Sequence, residues 1–133
     1  MKKGFITDIE TATIENTDFR RVLYTGRFTQ LVLMSLPPGE EIGMEVHDDV
    51  DQFFRFEEGE GMVVIDGVET AVRDGSGVIV PSGAMHNVVN TSKTANLKLY
   101  TIYGPPEHLD GTVHRTRKEA LENEEHFDGK TTE

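Results

Sequence analysis

From residue 4 to about residue 104, short runs rich in β-branched and aromatic residues are broken every 8–12 residues or so by Gly, Pro, Asn or Asp. That punctuation leaves no room for a helix of ordinary length and predicts an all-β domain. The expected strands cover residues 19–24, 29–36, 42–47, 52–58, 61–65, 69–72, 77–80, 86–91 and 97–103. Asp66-Gly67, between the apolar run 62–65 and residues 68–72, is a hairpin signal because both central positions favour positive φ. Pro37-Pro38-Gly39 and Pro81-Ser82-Gly83 lack the backbone donors to continue a ladder and predict corners.

After Tyr103 the character changes. Gly104-Pro105-Pro106 stops the last strand, and Thr116 with Glu119 forms a capping-box pattern opening a polar run. The expected division is a β-barrel over 1–104 and a C-terminal extension over 105–133, with a short helix at 116–126 anchored by Ala120, Leu121 and Phe127. The last six residues are expected to fray.

The charge balance narrows the partners. Against 13 Lys and Arg stand 24 Asp and Glu, for a formal net charge of −11, which opposes binding to nucleic acid or anionic membrane. No apolar run is long enough to span a bilayer, and the N-terminus has two lysines but no apolar stretch behind them. A cytoplasmic protein with small-molecule partners is the expectation. There is no cysteine, so thiolate ligands and cysteine nucleophiles are excluded.

Two segments could carry chemistry. Side chains alternate along a strand, so Glu45 and His47 share one face, and a return of the chain after Asp51 brings Gln52 beside them, with Phe54 and Phe56 continuing inward. His86 opens a later strand just beyond the Pro81–Gly83 corner, with Val88 on the same side. Two imidazoles, one carboxylate and one amide oxygen suit Fe, Mn, Co, Ni or Zn as divalent ions. The plainer alternative is that the histidines are hydrogen-bonded core residues and Glu45 solvates a barrel mouth. His108 and His114 could act as acid/base groups or could pack the tail against the barrel. Tyr103 shares an inward face with Leu97, Leu99 and Thr101, where its hydroxyl could orient a ligand or be satisfied internally. Phe53, Met44 and Val46 fall on the outer side, an apolar face that N-terminal strands or a second subunit would have to cover. The run Asp48, Asp49 and Asp51 reads as a solvated loop.

Residues 75–90 read G-x5-P-x-G-x2-H-x3-N, and residues 39–59 carry Gly39, His47 and Gly59 at matching intervals. This pair resembles the two motifs of the cupin superfamily, G-x5-HxH-x3,4-E-x6-G and G-x5-PxG-x2-H-x3-N. The second is matched at every defined position by Gly75, Pro81, Gly83, His86 and Asn90. In the first, Glu45 stands for one histidine and Gln52 for the glutamate. The tail, with Pro-Pro-Glu-His at 105–108 and Asp-Gly-Thr-Val-His at 110–114, is similar to that of a group of small single-domain bacterial cupins. The resemblance implies a double-stranded β-helix, or jelly roll, and one divalent transition metal per chain (Fe, Mn, Ni, Co or Zn) near one barrel mouth. Its ligands would be Glu45, His47, Gln52 and His86, and the pocket wall would be Phe54, Phe56, Val88, Leu99 and Tyr103. It also implies a homodimer. The expected function is a metal-dependent oxygenase, isomerase or lyase acting on a small oxygen-rich molecule, the alternative being a non-catalytic ligand- or metal-binding module.

Overall fold

The computed structural model describes residues 1–133. Its elements are α1 (Ile9–Glu15), β1 (Arg20–Thr25), β2 (Gln30–Leu36), β3 (Asp51–Glu58), β4 (Glu60–Ile65), β5 (Val68–Arg73), β6 (Gly77–Val80), β7 (His86–Asn90), β8 (Leu97–Gly104), β9 (Val113–His114) and α2 (Arg117–Glu122). A six-stranded sheet, ordered β6-β3-β8-β2-β1-β9, faces a three-stranded sheet ordered β5-β4-β7, with every pairing antiparallel. This is the all-β domain that the strand punctuation predicts, in the jelly-roll form that the cupin resemblance implies.

Alternation explains the core. On β3, Gln52, Phe54 and Phe56 point inward, and on β8 Leu97, Leu99, Thr101 and Tyr103 do the same, all buried. Phe54, Phe56, Leu97, Leu99 and Tyr103 form one apolar cluster with Val32, Met34 and Leu36 of β2, Val63 of β4 and Val88 of β7. Asp66 and Gly67 both have positive φ, as the β4–β5 hairpin requires.

The recurring motif residues have local physical reasons. Gly59 has φ +96°, and a Cβ there would lie 2.4 Å from the backbone oxygen of Asn96, so no side chain fits where β3 turns into β4. Asn90 is buried, and its Nδ2 donates toward the carbonyls of Leu36, Pro37 and Ala95 at 2.9, 3.1 and 2.9 Å. Its Oδ1 accepts from the Ser92 N–H, so this one amide ties three chain crossings together. Asn90 therefore serves the fold and not the site.

Four expectations need correcting. Residues 42–47 do not form a ladder strand: only isolated bridges, Glu41 with Val89 and Glu45 with His86, join them to the sheet. Gly43 at φ +107° breaks the extended run, and the neighbouring Ile42 carbonyl accepts instead from Arg117 Nε at 3.1 Å. Over β2, β3 and β8 the outer face is covered by an N-terminal helix and not by N-terminal strands. α1 packs on β2, β3 and β8, and Lys98, buried on that outer side, donates to the Asn16 carbonyl. This helix has seven residues, with two threonines and two isoleucines, so its propensity signal is weak; Asp8 caps it by accepting from the Thr11 N–H. Met44, Val46 and Ile79 remain exposed.

The C-terminal helix is shorter than expected. Thr116 accepts from the Glu119 N–H as the capping box implies, but the helix stops at Glu122 and Leu121 is exposed, leaving Ala120 as its buried anchor. The last residues do not fray either. The Glu133 carboxylate accepts from the N–H groups of Lys3 and Gly4 and from the Tyr24 hydroxyl, at 2.6, 2.8 and 2.6 Å, so the two termini are tied together.

Candidate metal centre

Two backbone hydrogen bonds, Glu45 N–H to the His86 carbonyl at 2.8 Å and His86 N–H to the Glu45 carbonyl at 2.9 Å, set these residues opposite one another. Directly paired residues project side chains to the same side at close range. His47, two residues beyond Glu45, then falls beside them. Ligating atoms of Glu45, His47 and His86 all lie within 4.8 Å of one another. Glu45 Oε2 is 3.2 Å from His47 Nε2 and 4.0 Å from His86 Nε2, and the two imidazole rings are 5.5 Å apart.

The surrounding bonds orient these groups. His86 Nδ1 donates to the Ala84 carbonyl at 3.1 Å, which leaves a lone pair on Nε2, and that atom is buried with no partner. Gln52 Nε2 donates to Thr101 Oγ1 at 3.0 Å, and its Oε1 is likewise buried and unpartnered. Orphaned buried acceptors are rare because each forfeits its hydration. A divalent ion accepting these two lone pairs, with Glu45 and His47 beside them, would remove that cost, so the donor set fits a metal of the Fe-to-Zn series.

Charge runs the same way. Burial alone would raise the Glu45 carboxyl, but the hydrogen bond with His47 and the nearby charges of His47, Arg20 and His86 outweigh it and hold the group below its usual value. His47 is raised, chiefly by that bond to Glu45, against a lowering from burial and with further help from Glu45, Glu107 and Asp49.

A family model described as "Cupin domain" matches residues 32–103, which contain all four of these positions. The chain belongs to the cupin family. It is 46% identical over 129 residues to "Uncharacterized protein YrkC" of Bacillus subtilis, covering 92% of this chain and 69% of that one. It is 37% identical to "Uncharacterized protein L612" of Acanthamoeba polyphaga mimivirus, covering 82% and 70%. Among solved structures, BH2720 from Bacillus halodurans superposes with a TM-score of 0.89 at 42% identity, covering 91% of this cupin and 96% of that chain.

Above the cluster this cupin has a cavity of about 360 Å³, bordered on the barrel side by Arg20, Ile42, Glu45 and His47, and roofed by Glu107, His108 and residues of α2 and the segment after it. Phe54, Phe56, Val88 and Leu99 lie deeper, in the apolar core, and do not border this cavity; Phe54 packs 6.2 Å from the His86 ring. Tyr103 stands edge-on to His47 at 6.0 Å, and its hydroxyl is 3.2 Å from His108 Nε2. Sequence reasoning missed Arg20, Glu107, Arg117 and Glu125. Glu107 lies 3.6 Å from His47 Nδ1, and Glu125 Oε1 lies 3.0 Å from His108 Nδ1. No periodicity marks these residues, since each reaches the site from a terminal segment. His114 is buried against Arg20, its Nδ1 3.4 Å from Arg20 Nη1.

His108 supplies a pH prediction. Burial holds its imidazole below the ordinary value, outweighing the bond to Glu125, with Arg20 adding to the lowering. The unfolded chain therefore takes up a proton below about pH 6.5 that the folded chain refuses, so stability is complete above that pH and falls as pH drops. Glu125, also lowered despite its burial, adds a loss below about pH 4.5. The raised His47 acts in a separate window, losing its contribution as pH rises above about 6.5. Replacing His108 with Gln should flatten the fall between about pH 6.5 and 5 in urea-denaturation midpoints, leaving the alkaline side unchanged. An unaltered acid slope would show that His108 is not the group responsible.

Proposed function

We propose that this cupin is a divalent-metal enzyme of the oxygenase, isomerase or lyase type, acting on a small oxygen-rich molecule. Glu45, His47, Gln52 and His86 would hold the ion. What carries the reading is the cluster of Glu45, His47 and His86, with Glu45 and His47 bordering a cavity, together with two buried, unpartnered acceptors, His86 Nε2 and Gln52 Oε1. When bound, such an ion supplies Lewis acidity, or electron transfer if it is iron or manganese.

The chain's own residues would do the rest. Ala84 fixes the His86 ring through Nδ1, and Thr101 fixes the Gln52 amide. The apolar core beneath, with Phe54 against His86, keeps water from the far side of the ligands. Glu107 stands where it can hold the His47 Nδ1 proton.

One observation favours the non-catalytic alternative. His108, the obvious neutral acid/base at the cavity, has both ring nitrogens engaged, with Glu125 and with Tyr103. The deciding experiment is elemental analysis of protein purified without a polyhistidine tag or chelator, followed by assays directed by the metal found. About one Fe, Mn, Ni, Co or Zn per chain is expected, with oxygen consumption assayed for iron or manganese and isomerase or lyase turnover for zinc. Metal retention without turnover on any oxygen-rich substrate would favour the binding module. A wild-type chain that takes up no metal even on reconstitution would end the metalloenzyme reading.

A further inference from the structure

Arg20 is a buried charge with no acid in ion-pair contact, although it is near enough to Glu45 and Glu125 to help hold their carboxyls low. It opens β1, shares the inward side with Val22, and is only 8% exposed. Among its five N–H donors, the side-chain hydrogen-bond contact is Nη1 with His114 Nδ1 at 3.4 Å, while Nε is buried and unpartnered. The Phe19 ring lies 5.3 Å from Cζ, supplying a π face but no hydrogen-bond acceptor in the guanidinium plane. No Asp or Glu makes an ion pair with it, in a chain with 24 of them. A guanidinium stays protonated, and burying one without a partner is costly.

Arg20 borders the same cavity as Glu45 and His47, and Arg117 borders it too, with Nε on the Ile42 carbonyl and no acid partner. The carboxylates there are mostly committed elsewhere: Glu45 and Glu107 face His47, and Glu125 faces His108. Glu124 is the exception. The cavity is therefore not positive throughout. An anion would be favoured only where it meets the guanidinium directly, and that geometry suits the planar, bidentate carboxylate.

We propose that Arg20 is the anion-recognising residue of this cavity and that the molecule bound there is a small carboxylate, one end on Arg20 and an oxygen at the other end reaching the metal cluster. The second half rests on the metal reading above; the first does not. A volume of about 360 Å³, near the lower limit for ligand pockets, restricts the ligand to a small acid.

The test is calorimetric titration of the full chain, metal-free and Co(II)-loaded, with malonate and with its neutral amide, malonamide. Malonate should bind and malonamide should bind at least about 10-fold more weakly. Arg20→Gln should weaken malonate by about 10- to 100-fold, and Arg20→Lys, which keeps the charge and loses the fork, by an intermediate factor. Equal affinity for the acid and the amide, malonate affinity unchanged in Arg20→Gln, or no malonate binding by either form of the wild type would each overturn the proposal. The acid-versus-amide comparison needs only the wild type, so it stands even if Arg20→Gln fails to fold. Co(II) uptake, followed separately by visible absorption, keeps the two readings apart. Arg20-dependent malonate binding by a chain that takes no Co(II) would sink the metal and leave the carboxylate site; Co(II) uptake with malonate binding indifferent to Arg20 would do the reverse.

Discussion

Protein in which His47 and His86 are both replaced by alanine is expected to retain less than about a tenth of an equivalent of metal, against about one for the wild type, because two of the four proposed donors are gone and the remaining pair cannot close a site. The loss should come without unfolding. His86 Nε2 has no protein partner to lose, and the His47 side chain is only partly buried. Deleting His86 does forfeit ring packing against Phe54, so a modest fall in stability, about 1–2 kcal/mol, should accompany it. Elemental analysis beside circular dichroism checks both halves. A folded double variant with full metal content would mean that the ion is held elsewhere.

The largest stability effect should come from the core beneath the site. Phe56 is fully buried, 6.4 Å from the Phe54 ring and in register with Leu99 of β8. Phe56→Ala should cost about 3–5 kcal/mol, since the two sheets cannot collapse onto the void. For a domain of this size that corresponds to a melting temperature lower by roughly 10–20 °C. Phe28, 72% exposed in the β1–β2 turn, is the control: Phe28→Ala should stay within about 0.5 kcal/mol. Equal effects at the two positions in thermal denaturation would contradict the proposed core.

Much of the barrel was legible because its rules are local. Alternation assigned Phe54, Phe56 and Leu99 to the inner face, and Asp66-Gly67 announced its hairpin from two residues. Pro37-Pro38-Gly39 and Pro81-Ser82-Gly83 marked corners, and Gly39 and Gly83 both have positive φ, as do the motif glycines Gly59 and Gly75. Clustering of Glu45, His47 and His86 followed from that framework. The misses are long-range or short. β9 has two residues and exists only by pairing with β1, and α1 depends on the sheet beneath it. The break in 42–47 came from Gly43, whose neighbouring space is filled by Arg117 from 74 positions along the chain. No window of sequence holds both ends of that contact. The same is true of Arg20 with His114.

The match to the cupin family ends at Tyr103, and it begins after β1. All four candidate ligands lie inside those limits. Arg20, Glu107, His108, Arg117 and Glu125 lie outside them, in two terminal segments laced together at Glu133. On the metal and carboxylate sites proposed above, reactivity and selectivity would be written in separate stretches of the chain. A cupin with this barrel could then exchange its ends and keep its ligand set while changing its molecule, so grafting the segment that carries Arg20 together with residues 105–133 from one relative onto another is the natural way to move a substrate preference between them.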